Sequence, residues 1–138
     1  TLSNSPQQKI AWNNFVDWVK NFYNYDGARK IRPIMAGHNI FNYDSHIVDR
    51  LCDKYKTKDL FSIFKIDTMQ LTWMWFENSN DLQSFALGRV LEQFGLKNEE
   101  AHNAKFDVKS TAELVIKYLK LHRELFKRVS WSYETINE

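Results

Sequence analysis

Three short stretches hold side chains whose types and spacing could do chemistry. Gly37-His38-Asn39-Ile40-Phe41-Asn42-Tyr43-Asp44 is a glycine-polar stretch ending in a carboxylate. Ile66-Asp67-Thr68-Met69 sets a second carboxylate beside a hydroxyl, and in Ala101-His102-Asn103-Ala104-Lys105-Phe106-Asp107-Val108 a histidine stands five residues before an aspartate. Carboxylate oxygens suit hard divalent cations, and a neutral imidazole can take a proton near pH 7. Each stretch also has a plain structural reading. Asp44 can cap a helix, His38 and Asn39 can bond loop carbonyls, Asp67 or Thr68 can cap a strand end, and His102 can be an ordinary loop residue.

The elements around these residues follow from hydrophobic spacing. Pro33-Ile34-Met35-Ala36-Gly37 is a nearly continuous apolar run between Arg32 and His38, the pattern of a strand buried on both faces in a parallel sheet. From Asp44 onward, Ile47, Val48, Leu51, Cys52 and Tyr55 fall on one side of a helix, with Asp49, Arg50, Asp53 and Lys54 on the other. This strand-loop-helix unit is half of a βαβ crossover, which carries chemistry at the strand's C-terminal end. Before it, Ser5-Pro6-Gln7-Gln8 is a helix-start signal, and Ala11, Phe15, Trp18 and Phe22, widened by Trp12 and Val19, mark the expected buried face until Asp26-Gly27. After it, a short strand is expected around Lys65-Ile66-Asp67 and a short buried helix from Met69 to Phe76. A helix from Leu82 to Phe94 should turn Phe85, Ala86, Val90 and Phe94 inward and end at Gly95. The last helix should run from about Asn103 or Ala104 to Lys120, or on through Phe126, with Val108, Ala112, Val115 and Leu119 as its buried face.

The 138 residues are 43% hydrophobic and 26% charged, the mixture of one ordinary globular domain. Cys52 is the only cysteine, which excludes an internal disulfide and a paired-cysteine zinc knuckle and fits a reducing, intracellular compartment, either cytoplasm or nucleus or nucleoid. No apolar run is long enough for a membrane helix, so no membrane partner is expected. The start, Thr1-Leu2-Ser3-Asn4-Ser5-Pro6, has no secretory-signal pattern and no initiator methionine. A net charge of +2 does not by itself point to nucleic acid. Lys117, Lys120, Arg123, Lys127 and Arg128 nevertheless cluster around a single acid, Glu124, as a solvated helix face or a backbone-phosphate patch.

Together the three stretches resemble a known family. Gly37-His38-Asn39 followed by Tyr43-Asp44 resembles the second motif of the DnaQ-like, DEDD-type 3′–5′ exonucleases, and His102 with Asp107 resembles the third motif of their histidine-bearing branch. Between them, Asp67-Thr68-Met69-Gln70-Leu71 resembles the family's Asp-Thr segment, and Leu87 to Leu96 the helix before the third motif. The resemblance spans roughly Ile34 to Tyr118. It implies an α/β class and a ribonuclease H-like three-layer fold, a mixed sheet flanked by helices. It also implies two Mg²⁺ or Mn²⁺ ions, with Asp44 and Asp107 as metal ligands and His102 as general base. His38 and Phe41 would contact substrate, Asn39 would lie near the substrate or hold the loop, and Asp67, which is not one of the family's four carboxylates, is read as structural. Phe41 would stack an unpaired base, whereas Trp73 and Trp75, in an apolar run, are expected in the core.

The family's first motif, Asp-x-Glu, is absent. None of the nine aspartates has a glutamate two residues later. The expectation is therefore that the first three strands lie upstream of Thr1, that residues 1–128 are the C-terminal two thirds of one exonuclease domain, and that residues 129–138 are a tail. The function expected of the intact domain is metal-dependent 3′–5′ hydrolysis of single-stranded DNA or RNA ends, alone or beside a DNA polymerase. This chain by itself should be inactive. The alternative is a non-catalytic module of the same fold that binds nucleic acid or a polymerase.

Overall fold

A computed structural model describes residues 7–26, 28–57, 59–96 and 104–129. The start signal at Ser5 and Pro6, the candidate base His102 and the tail beyond Val129 lie outside the described residues. The architecture is mixed α/β, with five helices and two small sheets among the described residues. It divides into two compact units, Thr1–Asp67 and Thr68–Glu138.

In the first unit, α1 (Gln8–Lys20) packs through Trp12, Val16 and Val19. These side chains meet Leu60 and Phe61 and the inner side of α2 (Asp44–Tyr55), chiefly Val48, Leu51 and Cys52. The buried stripe lies one position round the helix from the expected series, since Ala11, Trp18 and Phe22 are exposed. Trp12 decides the orientation, because burial suits its indole only where the N–H finds an acceptor. It donates to Thr57 Oγ1 at 3.1 Å, and the ring lies 5.4 Å from Phe15 and 6.3 Å from Tyr55. Trp18 and Phe22 instead meet each other edge to face on the outer side, centroids 4.8 Å apart. Burial pushes the Cys52 thiol above its usual range, which makes it a poor nucleophile.

A hairpin follows that the hydrophobic pattern did not announce. β1 (Asn24–Asp26) pairs antiparallel with β2 (Arg29–Ile31), with Asp26 opposite Arg29. Asp-Gly between two short extended runs is a hairpin signal as well as a helix stop. β3 (Met35–Gly37) and β4 (Lys65–Asp67) form a parallel pair with Met35 opposite Lys65 and Gly37 opposite Asp67. Both expected strands are present. β3 is not buried on both faces, however: Ala36 is exposed, and β4 is its only strand partner among the described residues.

In the second unit, α3 (Thr68–Phe76) and α4 (Leu87–Gln93) both pack on α5 (Ala104–Arg128). Val90, Leu91, Leu114 and Tyr118 form the core, ringed by Leu71, Leu82, Leu87, Phe94 and Leu96. The Tyr118 hydroxyl donates to Thr72 Oγ1 at 2.5 Å, and that hydroxyl donates to the Thr68 carbonyl at 2.6 Å, so the polar groups under α3 are satisfied. Burial raises the Tyr118 pKa above the ordinary tyrosine value.

Three expectations need correction in this unit. α4 starts at Leu87 rather than Leu82, because the preceding serines take up the backbone locally: Ser79 Oγ accepts from the Asp81 N–H at 3.0 Å and Ser84 Oγ from the Ala86 N–H at 3.3 Å. Its end is as expected. Gly95 has φ +63°, its N–H bonds the Glu92 carbonyl, and the Leu96 N–H reaches back to Leu91, a Schellman close. α3 buries its threonines, while Trp73 and Trp75 are exposed rather than in the core. α5 buries Ser110, Leu114 and Tyr118, and leaves Val108, Ala112 and Leu119 exposed. Among the described residues, no helix is long and apolar enough to cross a membrane.

Candidate functional site

The residues 38–43 connect β3 to α2 at the carboxyl ends of the two parallel strands, the place where open α/β sheets bind ligands. The loop is tightly built. Asn39 adopts the left-handed conformation, φ 59°, and its carbonyl accepts from the Asn42 N–H at 3.2 Å to close a turn. The Asn42 side chain donates to Asn39 Oδ1 at 2.6 Å. Ile40 turns inward and is buried, and its carbonyl accepts from the Ser45 N–H at 3.0 Å, which joins the loop to the start of α2. Phe41 faces outward and is exposed.

Gly37 is required for this geometry by close approach rather than by its φ. A Cβ there would lie 3.0 Å from Ile40 Cβ. Gly37→Ala is expected to push Ile40 outward and to cost roughly 1–3 kcal/mol, read as a lower urea midpoint together with amide shifts confined to the loop. An unchanged midpoint would mean that the loop has room that the backbone does not show.

The loop's anchor is Asp67, at the end of β4. Its carboxylate is buried, Oδ1 accepts from the Asn39 N–H at 2.8 Å, and Oδ2 lies 3.5 Å from the Phe41 N–H. Two residues earlier, Lys65 Nζ lies over the Phe41 ring, 5.9 Å from its centroid, and 3.6 Å from Asp49 Oδ2 on α2. By its sequence motif Asp67 is a structural residue. Its hold on the loop, and the approach of Lys65 to Phe41, depend on a parallel pairing that brings residues 65–67 beside residues 35–41.

The candidate carboxylates both occupy first turns of helices. Asp44 is exposed and opens α2, and Tyr43 before it is also exposed. Asp107 is half-buried in the first turn of α5. Both positions favour a negative charge against the helix dipole whatever else the groups do. His38 lies in the loop beside Asn39, and His102 is outside the described residues. No group of three or more His, Cys, Asp or Glu side chains that could hold a metal ion occurs among the described residues. On α5, Lys117, Lys120, Arg123, Lys127 and Arg128 are all exposed, with Lys127 2.8 Å from Glu124. The chain matches no protein-family model, no curated protein and no solved structure.

Proposed function

We propose that this chain is the larger part of a DnaQ-like 3′–5′ exonuclease domain of ribonuclease H-like fold, and that it contacts single-stranded nucleic-acid ends through the loop between β3 and α2. The observation that carries this reading is the loop itself. A Gly-His-Asn stretch leaves a parallel strand, is held at the strands' carboxyl ends, and delivers Asp44 to the first turn of the next helix. Asp107 in the first turn of α5 fits the family's third motif in the same way. The exposed basic residues of α5 suit a polyanion as a salt-dependent, sequence-independent contact.

Hydrolysis needs carboxylates beyond Asp44 and Asp107, so no catalytic step is assigned to this chain alone. The expected result is that the 138-residue chain releases no mononucleotides from 5′-labelled single-stranded DNA or RNA with Mg²⁺ or Mn²⁺. Protein extended upstream by a segment carrying Asp-x-Glu should release them, lose the activity with chelator, and lose it again with Asp107→Ala. Vigorous metal-dependent digestion by the 138 residues, abolished by Asp107→Ala, would overturn the incompleteness of the site.

A second reading, which the missing Asp-x-Glu favours, is a non-catalytic module of the same fold that binds nucleic acid or a polymerase. An extended protein that binds single strands and never cleaves them selects it.

A further inference from the structure

We infer that Asp67 is a positioning residue which, with Lys65, makes Phe41 a preorganised platform for one unpaired base. The inference rests on the reading of this loop as a single-strand contact and adds which residues give it rigidity. A buried carboxylate is tolerated only when its oxygens are bonded, and Asp67, 5% exposed, spends acceptor capacity on loop amides. The donors are the Asn39 N–H, in a left-handed residue that an unsupported loop would not favour, and the Phe41 N–H. The backbone on both sides of Ile40 is thereby tied to β4, and Ile40 is itself buried.

The Phe41 ring is held from the same strand. Lys65 approaches it as a cation over its face and is steadied by Asp49 on α2. The ring still leaves 39% of the residue exposed. An aromatic side chain fixed in backbone and ring yet open to solvent stacks a base with little ordering cost, and stacking tolerates any base.

The test uses the full 138-residue chain and a fluorescein-labelled oligothymidylate at low salt with chelator, read by anisotropy. Phe41→Ala should weaken binding by roughly tenfold. Asp67→Asn, which keeps the side-chain shape but turns a donor toward the loop amides, should weaken it severalfold in the wild-type background and not at all in the Phe41→Ala background. General destabilisation would weaken both. In the absence of oligonucleotide, Asp67→Asn should also speed hydrogen exchange at the Asn39 and Phe41 amides while leaving α1 unchanged. Should Asp67→Asn not fold, Lys65→Met decides in its place, with the same dependence on Phe41.

Wild-type binding that Asp67→Asn and Lys65→Met leave intact would overturn the inference while the single-strand reading stands. Wild-type protein that binds no oligonucleotide would overturn the reading and the platform together, and unchanged exchange at Asn39 and Phe41 would remove the clamp as well.

Discussion

Leu114→Ala is expected to cost about 3 kcal/mol of stability, whereas Val108→Ala, on the same helix, should change it by less than about 0.5 kcal/mol. Leu114 is fully buried among Val90, Leu91 and Tyr118, where α3 and α4 close on α5, so truncation removes contacts that the surrounding backbone cannot recover. Val108 is 71% exposed. The comparison is sharp because the apolar spacing of the sequence ranks the two in the opposite order. Urea denaturation followed by far-UV circular dichroism measures both, and a large loss at Val108 with little at Leu114 would mean that α5 buries its Val108 face instead. The contrast also bears on the site. The orientation of α5 about its axis sets the direction in which Asp107, one residue before Val108, presents its carboxylate.

Trp12→Ala is expected to cost about 3–5 kcal/mol, the largest single loss in the first unit. Trp12 joins Val16, Val19 and Leu60 in the core, its ring lies against Phe15 and Tyr55, and its N–H bonds Thr57 just beyond the end of α2. Trp12→Phe keeps an aromatic ring and gives up the hydrogen bond, so a loss nearer 1 kcal/mol is expected from that contact. Trp18→Ala, at a residue 57% exposed, should cost much less than either. The same urea titration reads all three variants. If Trp18→Ala proved as damaging as Trp12→Ala, the buried face of α1 would be the one that the spacing of aromatics suggests. Because Trp12 seats α1 on α2, its loss should also loosen the helix that carries Asp44.

Much of the element order was legible in the residues. The apolar run before Gly37, the helix from Asp44 to Tyr55, the short strand at Lys65–Asp67 and the glycine stop at Gly95 each depend on local preferences, and local preferences are written in neighbouring residues. The hairpin at Asn24–Ile31 was written there too, since Asp26-Gly27 is a turn signal, but it also ends a helix, and the sequence does not choose between the two. The buried faces were not legible in the same way. α5 carries one apolar series through Val108, Ala112, Val115 and Leu119 and another through Leu114, Tyr118 and Leu121, and both have helical spacing. Only the partners differ. Val90 and Leu91 meet Leu114 and Tyr118 of the second series, while Leu121 stays exposed, and Thr72 offers Tyr118 an acceptor.

The chemistry divides along the same line. Residue types and order were enough to single out His38, Asn39, Phe41, Asp44, His102 and Asp107 as candidates and to show that no aspartate begins an Asp-x-Glu, because these are statements about covalent order. What holds the candidates could come only from tertiary structure. Asp67 is 28 residues from Asn39 and 26 from Phe41, and a carboxylate reaches those amides only because β4 pairs in parallel with β3 and ends beside the loop. A hydrogen bond has a range of one atom pair, so its partners are set by where the backbone brings them rather than by how far apart they stand in the chain.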